Sequence, residues 1–295
     1  MSIRLGAALV DVVSEMSFPE GPPHELLVGL PEDAVTRQLD WFAPHYYDPA
    51  SSFMISSIHT WVVRLAGKII LIDTCVGNDK PRPAFEFIHE LSLPYLERLA
   101  EVGVEPGDVD YVMCTHLHLD HVGWNTRLVG DRWVPTFPHA EYIFSRDDYA
   151  HWEPDTGAGR DDPINENVFA DSVAPIAASG QMRLVDSGYS PVDGLTLVSA
   201  PGHTPGHSVV RLTSEGQSGV FFGDLMHSPL QVAYPQVNSI FCLDQARAAT
   251  TRREILERAA RDGDLLFSAH FPSPHSGRVS ADGDAFRFHP RTPDE

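Results

Sequence analysis

The chain has 295 residues, 42% hydrophobic and 21% charged, with 41 acidic residues against 21 basic ones and a formal net charge of -20. That length can bury about three quarters of its unfolded surface, and the composition is that of an ordinary folded protein. So acidic a surface repels phosphate backbones and anionic bilayers, which argues against nucleic acid and membranes as partners.

The opening MSIRLGAALVDVV carries one arginine and a short apolar stretch broken by Asp11, too weak for a signal peptide. No run approaches the ~20 apolar residues of a membrane span, so the cytoplasm is the expected compartment. WVVRLAGKIILIDT (61–74) reads as two strands joined at Ala66-Gly67-Lys68. PAFEFIHELSLPYLERLAEVG should form two helical pieces, because Pro94 breaks a helix. Strands are expected at 109–115 and 140–145, followed over 150–185 by a polar loop and a helix. Further strands fall at 195–200, 208–213, 219–223 and 265–269. Before the last of them, LDQARAATTRREILERAARDG has Asp244 to cap a helix and Gly263 to end it. Cys75, Cys114 and Cys242 are odd in number and widely spaced, which suits buried packing thiols rather than disulfides. No repeat or linker divides the chain, so one domain over 1–295 is expected. Hairpins early and single crossovers late fit two mixed sheets, packed together and flanked by helices.

CTHLHLDHVGWN (114–125) crowds three histidines and an aspartate into six positions. In an extended stretch His116 and His118 face the same way and can reach one point, while Asp120 and His121 address a second. Three more apolar runs end in the same manner, with His203, Asp224 and His270 soon after them. Imidazole and carboxylate suit zinc, manganese or iron. Seven donors are too many for one tetrahedral ion and suit two ions with a shared group. Burying the HxHxDH cluster without metal would strand several polar groups. GxSxG, a P-loop and a dinucleotide fingerprint are all absent.

HLHLDH, PGHTPGH, FFGD and SAHF, in that order, resemble the metallo-β-lactamase superfamily from about Ser57 to Arg287. The resemblance implies a four-layer αββα sandwich with two divalent metals at one edge of the sheets. By position, His116, His118 and His203 would hold the first metal, and Asp120, His121 and His270 the second, with Asp224 bridging them. Asp73 would support a ligand from behind. GDLMHSPLQVAYP and the ending SAHFPSPHSGRV are most similar to the methyl parathion hydrolase branch, with the acyl-homoserine lactonases next. Those lactonases carry a tyrosine three residues after the bridging aspartate, where this chain has His227.

Two divalent ions, two ligating carboxylates and a bridging hydroxide leave the centre with about one positive charge. The expected enzyme is therefore a metal-dependent hydrolase whose bridging hydroxide attacks neutral esters: organophosphate triesters, aryl esters or lactones. Zinc is the expected metal, with iron, manganese and cobalt as alternatives. Asp120 and Asp224 are assigned to catalysis along with His227, the candidate proton donor; the substrate is a small molecule, and a homodimer is possible. Quorum-quenching acyl-homoserine lactone hydrolysis and thioester hydrolysis are the alternative activities, and a non-catalytic metal-binding protein is the alternative class. His207 reads as a turn or supporting residue. Trp124, Tyr234 and Phe271 could wall a pocket or simply pack in the core. His24, His45, His59, His89, His139, His151, His275 and His289 read as structural or surface residues.

Overall fold

Trp61, Val62 and Val63 follow one another in a strand and are all buried, which requires cover on both faces of the sheet. The computed structural model describes residues 2–291; the expected domain ends at Met1 and 292–295 lie outside them. Val62 faces one side with Leu71 and Val112, against Tyr95, Leu99 and Ile176. Trp61 and Val63 face the other with Ile70, Ile72 and Met113, against Leu197, Val210, Phe221 and Phe267. A third cluster joins Val209, Val220 and Leu266 to Leu256 and Ala259. Period-two alternation within strands thus produces three apolar layers between helix, sheet, sheet and helix. The expected αββα sandwich is the observed fold.

The first sheet has eight strands. These are β1 (Ile3–Leu5), β2 (Ala8–Gly21), β3 (Tyr47–Asp48), β4 (Phe53–Leu65), β5 (Lys68–Ile72), β6 (Tyr111–Met113), β7 (Glu141–Ser145) and β8 (Met182–Val185). They pair in the order β1-β2-β4-β5-β6-β7-β8, with β3 at the start of β4. The second sheet has six strands in sequential order: β9 (Leu195–Ser199), β10 (Ser208–Ser214), β11 (Gln217–Phe221), β12 (Leu265–Phe267), β13 (Ser276–Asp282) and β14 (Ala285–Pro290).

The hairpin at Ala66 and Gly67 forms as expected, both residues having positive φ. All the expected strands are present. The helix α5 (Gln245–Asp262) has Asp244 accepting the Arg247 N–H and Gly263 left-handed at its end. Pro94 divides its segment into a short turn, Glu86–Ile88, and the helix α2 (Tyr95–Glu101), which follows α1 (Ala34–Phe42). Between them α3 (Arg146–Trp152) and α4 (Ala174–Ser179) complete the helices used below.

The order of connections differs from expectation. Parallel crossovers lie in the first sheet, from β5 to β8, and hairpins open the second, whose parallel pair is β11 with β12. Short apolar runs carry no direction, so strand sense had to come from packing. Sequence reading also missed β2, β8 and the hairpin β13–β14. Partly exposed strands such as β2 mix buried Val10 and Val13 with Ser14, Glu15 and Ser17, which blurs their pattern. No helix among the described residues is long and apolar enough to cross a membrane.

Phe267 is fully buried between the sheets, its ring centroid 4.4 Å from that of Phe221 and 5.0 Å from that of Trp61. Phe267→Ala is expected to cost about 3–5 kcal/mol. Urea denaturation should show a lower midpoint at unchanged slope, and a loss below about 1 kcal/mol would mean that this core does not hold the sheets together.

Candidate metal centre

The loops that follow β6, β9, β11 and β12 meet at one edge of the sandwich and bring all seven expected donors together. His203 Nε2 lies 2.8 Å from His118 Nδ1 and 3.1 Å from His116 Nε2, which is itself 2.9 Å from His118 Nδ1. Asp224 Oδ2 stands 3.2 Å from His203 Nε2 and 3.6 Å from His116 Nε2. Its other oxygen, Oδ1, stands 2.9 Å from His270 Nε2 and 3.0 Å from His121 Nε2. Asp120 completes that second group, 3.6 Å from His121 Nε2 and 3.7 Å from His270 Nε2. One carboxylate therefore faces two sets of imidazoles, one oxygen to each.

The donor set fits cations. Nitrogens bound about 2.0–2.1 Å from a tetrahedral zinc stand roughly 3.3 Å apart, close to the spacing of the first set. Without a cation, three imidazole lone pairs compete for the few protons that fit between them. His121 is more telling. Its Nδ1 stands 2.9 Å from Asp73 Oδ2, which fixes the N–H there and turns the Nε2 lone pair inward. That Nε2 is buried and, although 3.0 Å from Asp224 Oδ1, has no well-directed hydrogen bond among the described residues. Two more rings are set in the same way. His270 Nδ1 faces Ser57 O at 3.2 Å, and His116 Nδ1 faces Thr115 Oγ1, which donates to Asp73.

Charge divides between the two sets. Burial drives His116 and His118 well below the usual histidine range, and His203 to about 3. Burial also opposes charge on His121 and His270, but the attraction of Asp224 and Asp120 outweighs it. His121 rises well above its usual value and His270 to about 9. Burial opposes the Asp224 anion too, yet His121, His270 and His227 around it hold its carboxyl well below the ordinary range. Ligand binding requires those protons to leave, so cations and protons compete for this cluster.

The backbone is set by neighbouring side chains. His207 Nε2 accepts the Asp224 N–H at 3.1 Å and its Nδ1 faces Ala200 O at 3.0 Å; burial lowers its pKa to about 4. This is the supporting role expected of it. Gly223 has φ +51° and no room for a side chain, since a Cβ would meet Thr115 Oγ1 at 2.6 Å. Asp148, on α3, escaped the sequence reading. Its buried carboxylate accepts the Leu117 N–H at 2.7 Å, the Gly206 N–H at 3.1 Å and the Thr204 hydroxyl, tying the HxHxDH loop to the loop of His203. Its one signal was a second aspartate just after a strand, in RDDYAHW, where a capping role is the ordinary reading.

His227 is buried beside the cluster, its ring stacked on His270 at 5.2 Å between centroids and its Nε2 3.1 Å from Asp224 Oδ2. Its Nδ1 has no hydrogen-bond partner. An apolar cavity opens onto these residues, with His118, Asp120, His203, Asp224, His227 and His270 at its floor. Its walls are Phe18, Ile58, Phe85, Phe87, Leu119, Ile164, Ile240 and Phe241. Trp124, Tyr234 and Phe271 are not among them. Trp124 instead stacks on Tyr95, Phe271 packs against Tyr46 and Phe288, and Tyr234 lies against the core below the second sheet. Apart from Leu119, inside HLHLDH, the walls come from segments remote from the metal motifs, and no local pattern marked them. All three cysteines are free and buried, and the buried, hydrogen-bonded His59 packs against the half-buried His275 with ring centroids 4.4 Å apart, in keeping with structural roles.

Residues 55–270 match the family described as the "Metallo-beta-lactamase superfamily", and the chain belongs to it. It is similar to N-acyl homoserine lactonase AiiA of Bacillus thuringiensis subsp. kurstaki, 23% identical over 172 residues. That match takes in 58% of this chain and 60% of the relative's length. N-acyl homoserine lactonase AttM of Azorhizobium caulinodans is 34% identical over 121 residues, 39% of this chain and 41% of the relative. Among solved structures, the hydrolase AbOPH superposes with a TM-score of 0.82 at 24% identity, over 99% of this chain and 97% of that one. AidC, a dizinc quorum-quenching lactonase, superposes with a TM-score of 0.81 at 20% identity, over the same shares. At these identities the superpositions speak to the fold.

Metal-supplemented protein is expected to hold two divalent ions per chain by elemental analysis. Asp224→Ala, which removes the carboxylate facing both sets, should retain one ion or fewer after gel filtration. Full occupancy in that variant would rule out a shared ligand.

Proposed function

We propose that this protein is a two-metal hydrolase of neutral, apolar esters, a class that takes in aryl esters, organophosphate triesters and lactones. The make-up of the cavity carries this reading. Its walls are aromatic and aliphatic, and among the described residues the carboxylates Glu20, Asp120, Asp162 and Asp224 line it while no lysine or arginine does. An anionic group held away from the metal floor would be desolvated there beside Glu20 and Asp162 with no lysine or arginine to pair it, whereas an acyl chain or aryl group gains from burial. This weighs against glutathione conjugates, nucleotides and carboxylate-bearing β-lactams.

Divalent ions bound at the site would supply a hydroxide near neutral pH and offset the charge that builds on the ester oxygen. Zinc suits the nitrogen-rich donor set best, with iron, manganese and cobalt as alternatives. The protein's own part is positional. His116, His118 and His203 present neutral lone pairs, Asp120, His121 and His270 form the second half, and Asp224 spans the two. The apolar walls exclude water and hold the acyl or aryl group over that floor. His227 protonates the departing oxygen; its Nε2 faces Asp224 Oδ2 at 3.1 Å, and its buried Nδ1 has no hydrogen-bond partner among the described residues. Lactone hydrolysis, one member of this class, is supported by the similarity to relatives that are N-acyl homoserine lactonases.

A substrate panel tests the proposal. A nitrophenyl ester, an acyl-homoserine lactone and a phosphotriester should be hydrolysed, and chelation should abolish turnover. Faster turnover of a β-lactam or a glutathione thioester than of every neutral ester would overturn it.

The assignment of His227 has its own signature. A general acid helps in proportion to the charge developing on the leaving oxygen. His227→Ala should therefore cost roughly 10²-fold on an alkyl ester or lactone. A nitrophenyl ester, whose leaving group needs little protonation, should suffer far less, with both ions retained. Equal losses on the two substrates would reassign His227 to metal support.

A further inference from the structure

Glu15 is almost wholly buried, at 1% exposure, on the strand β2 and outside the residues that match the superfamily. The pairing of β2 with β4 slips there: Ser14 opposes His59 and Met16 opposes Ile58, so Glu15 is an extra residue in a bulge. A bulge breaks the alternation of a strand and can re-aim one side chain. The Arg98 guanidinium donates to the Ser14 and Glu15 carbonyls and holds the bulge in place.

The re-aimed carboxylate accepts three N–H groups. Oε2 takes Val76 N at 2.8 Å, and Oε1 takes Gly77 N at 3.1 Å and the Trp124 indole N–H at 2.7 Å. These donors belong to two segments already laced together by backbone bonds, Thr74 N to His121 O, Gly123 N to Cys75 O and Trp124 N to Thr74 O. The first segment is strained, since Asp73 and Cys75 have φ near +55° without being glycine. The fit is close: a Cβ on Gly123 would lie 1.7 Å from Val76 O. Asp73 begins this segment and sets the ring of His121, and His121 begins the other. Burial raises Glu15 to about 7 although all three N–H groups favour its anion, so the fold keeps this carboxylate at a cost.

We infer that Glu15 is a positioning residue for the Asp120–His121–His270 half of the centre, acting through the 73–77 segment and Trp124. The inference rests on the two-metal reading. A glutamine cannot replace it, because its amide donors would face a backbone N–H or the indole N–H.

Zinc binding to apo-protein, followed by competition with a chelator, tests the inference, with folding checked by circular dichroism on the metal-free chains. Glu15→Gln should weaken one of the two ions about 10–100-fold, the usual effect of losing a residue that orients a ligand, and leave the other unchanged. In an Asp120→Ala background, which disables that half, the same substitution should change the remaining ion less than about twofold. Val13→Ala, a cavity in the same strand, should lower the melting temperature without altering either constant. Should Glu15→Gln misfold, Trp124→Phe removes a single N–H donor and should weaken the same ion severalfold. Wild-type affinities at both sites, or losses at both that merely follow the melting temperature as in Val13→Ala, would overturn the inference. A wild-type chain that holds fewer than two ions would overturn the two-metal reading itself, a result none of the variants can mimic.

Discussion

A buried carboxylate, Asp224, faces five imidazoles: His116, His203 and His227 through one oxygen, His121 and His270 through the other. An anion in so dry a place survives only among opposite charges, whether protons or metal ions. Those charges must come from loops that no single strand provides. The sandwich brings four loops to one edge, and its three apolar layers hold their strands still enough for the donors to converge within a few ångströms.

The loops themselves are held by further buried carboxyl groups. Asp73 orients His121 and, through Thr115, His116. Asp148 ties Leu117 to Thr204 and Gly206, and Glu15 joins the 73–77 segment to Trp124. Each accepts several N–H or O–H donors, which offsets part of the desolvation its charge incurs. Acidic residues are thus used twice in this chain, on the surface for repulsion and inside as acceptors that fix loop geometry. A hydroxyl or amide would serve less well, because a carboxylate offers acceptors only and tolerates several donors at once.

Above the floor the chemistry of the walls changes abruptly. The donors are polar and convergent, while the cavity over them is aromatic and aliphatic. On the proposed function, that contrast would let one site bind an apolar group and still attack a polar bond. It separates binding, which depends on area removed from water, from reaction, which depends on charge placed near the developing oxyanion.

The candidate metal donors were legible in the chain because ligand geometry is local: HxHxDH places four side chains within six residues, and His203, Asp224 and His270 each follow an apolar run. The sandwich was legible through its buried strands and through the cap and stop of α5. Other features were not. Glu15 and Asp148 resemble any acidic residue until the packing of β2 against β4, and of α3 against the loops, decides what they meet. The cavity walls come from Phe18, Phe85, Phe87 and Phe241, far apart in the chain, and the tempting neighbours Trp124 and Phe271 face elsewhere. Strand direction was also beyond reach, since parallel and antiparallel pairs present the same short apolar runs. The sequence by itself determined which side chains could bind metal, because that depends on residue type and near-neighbour spacing. Only the tertiary structure decided which carboxylates hold the loops and which rings line the cavity, because burial and long-range contact belong to the packed chain.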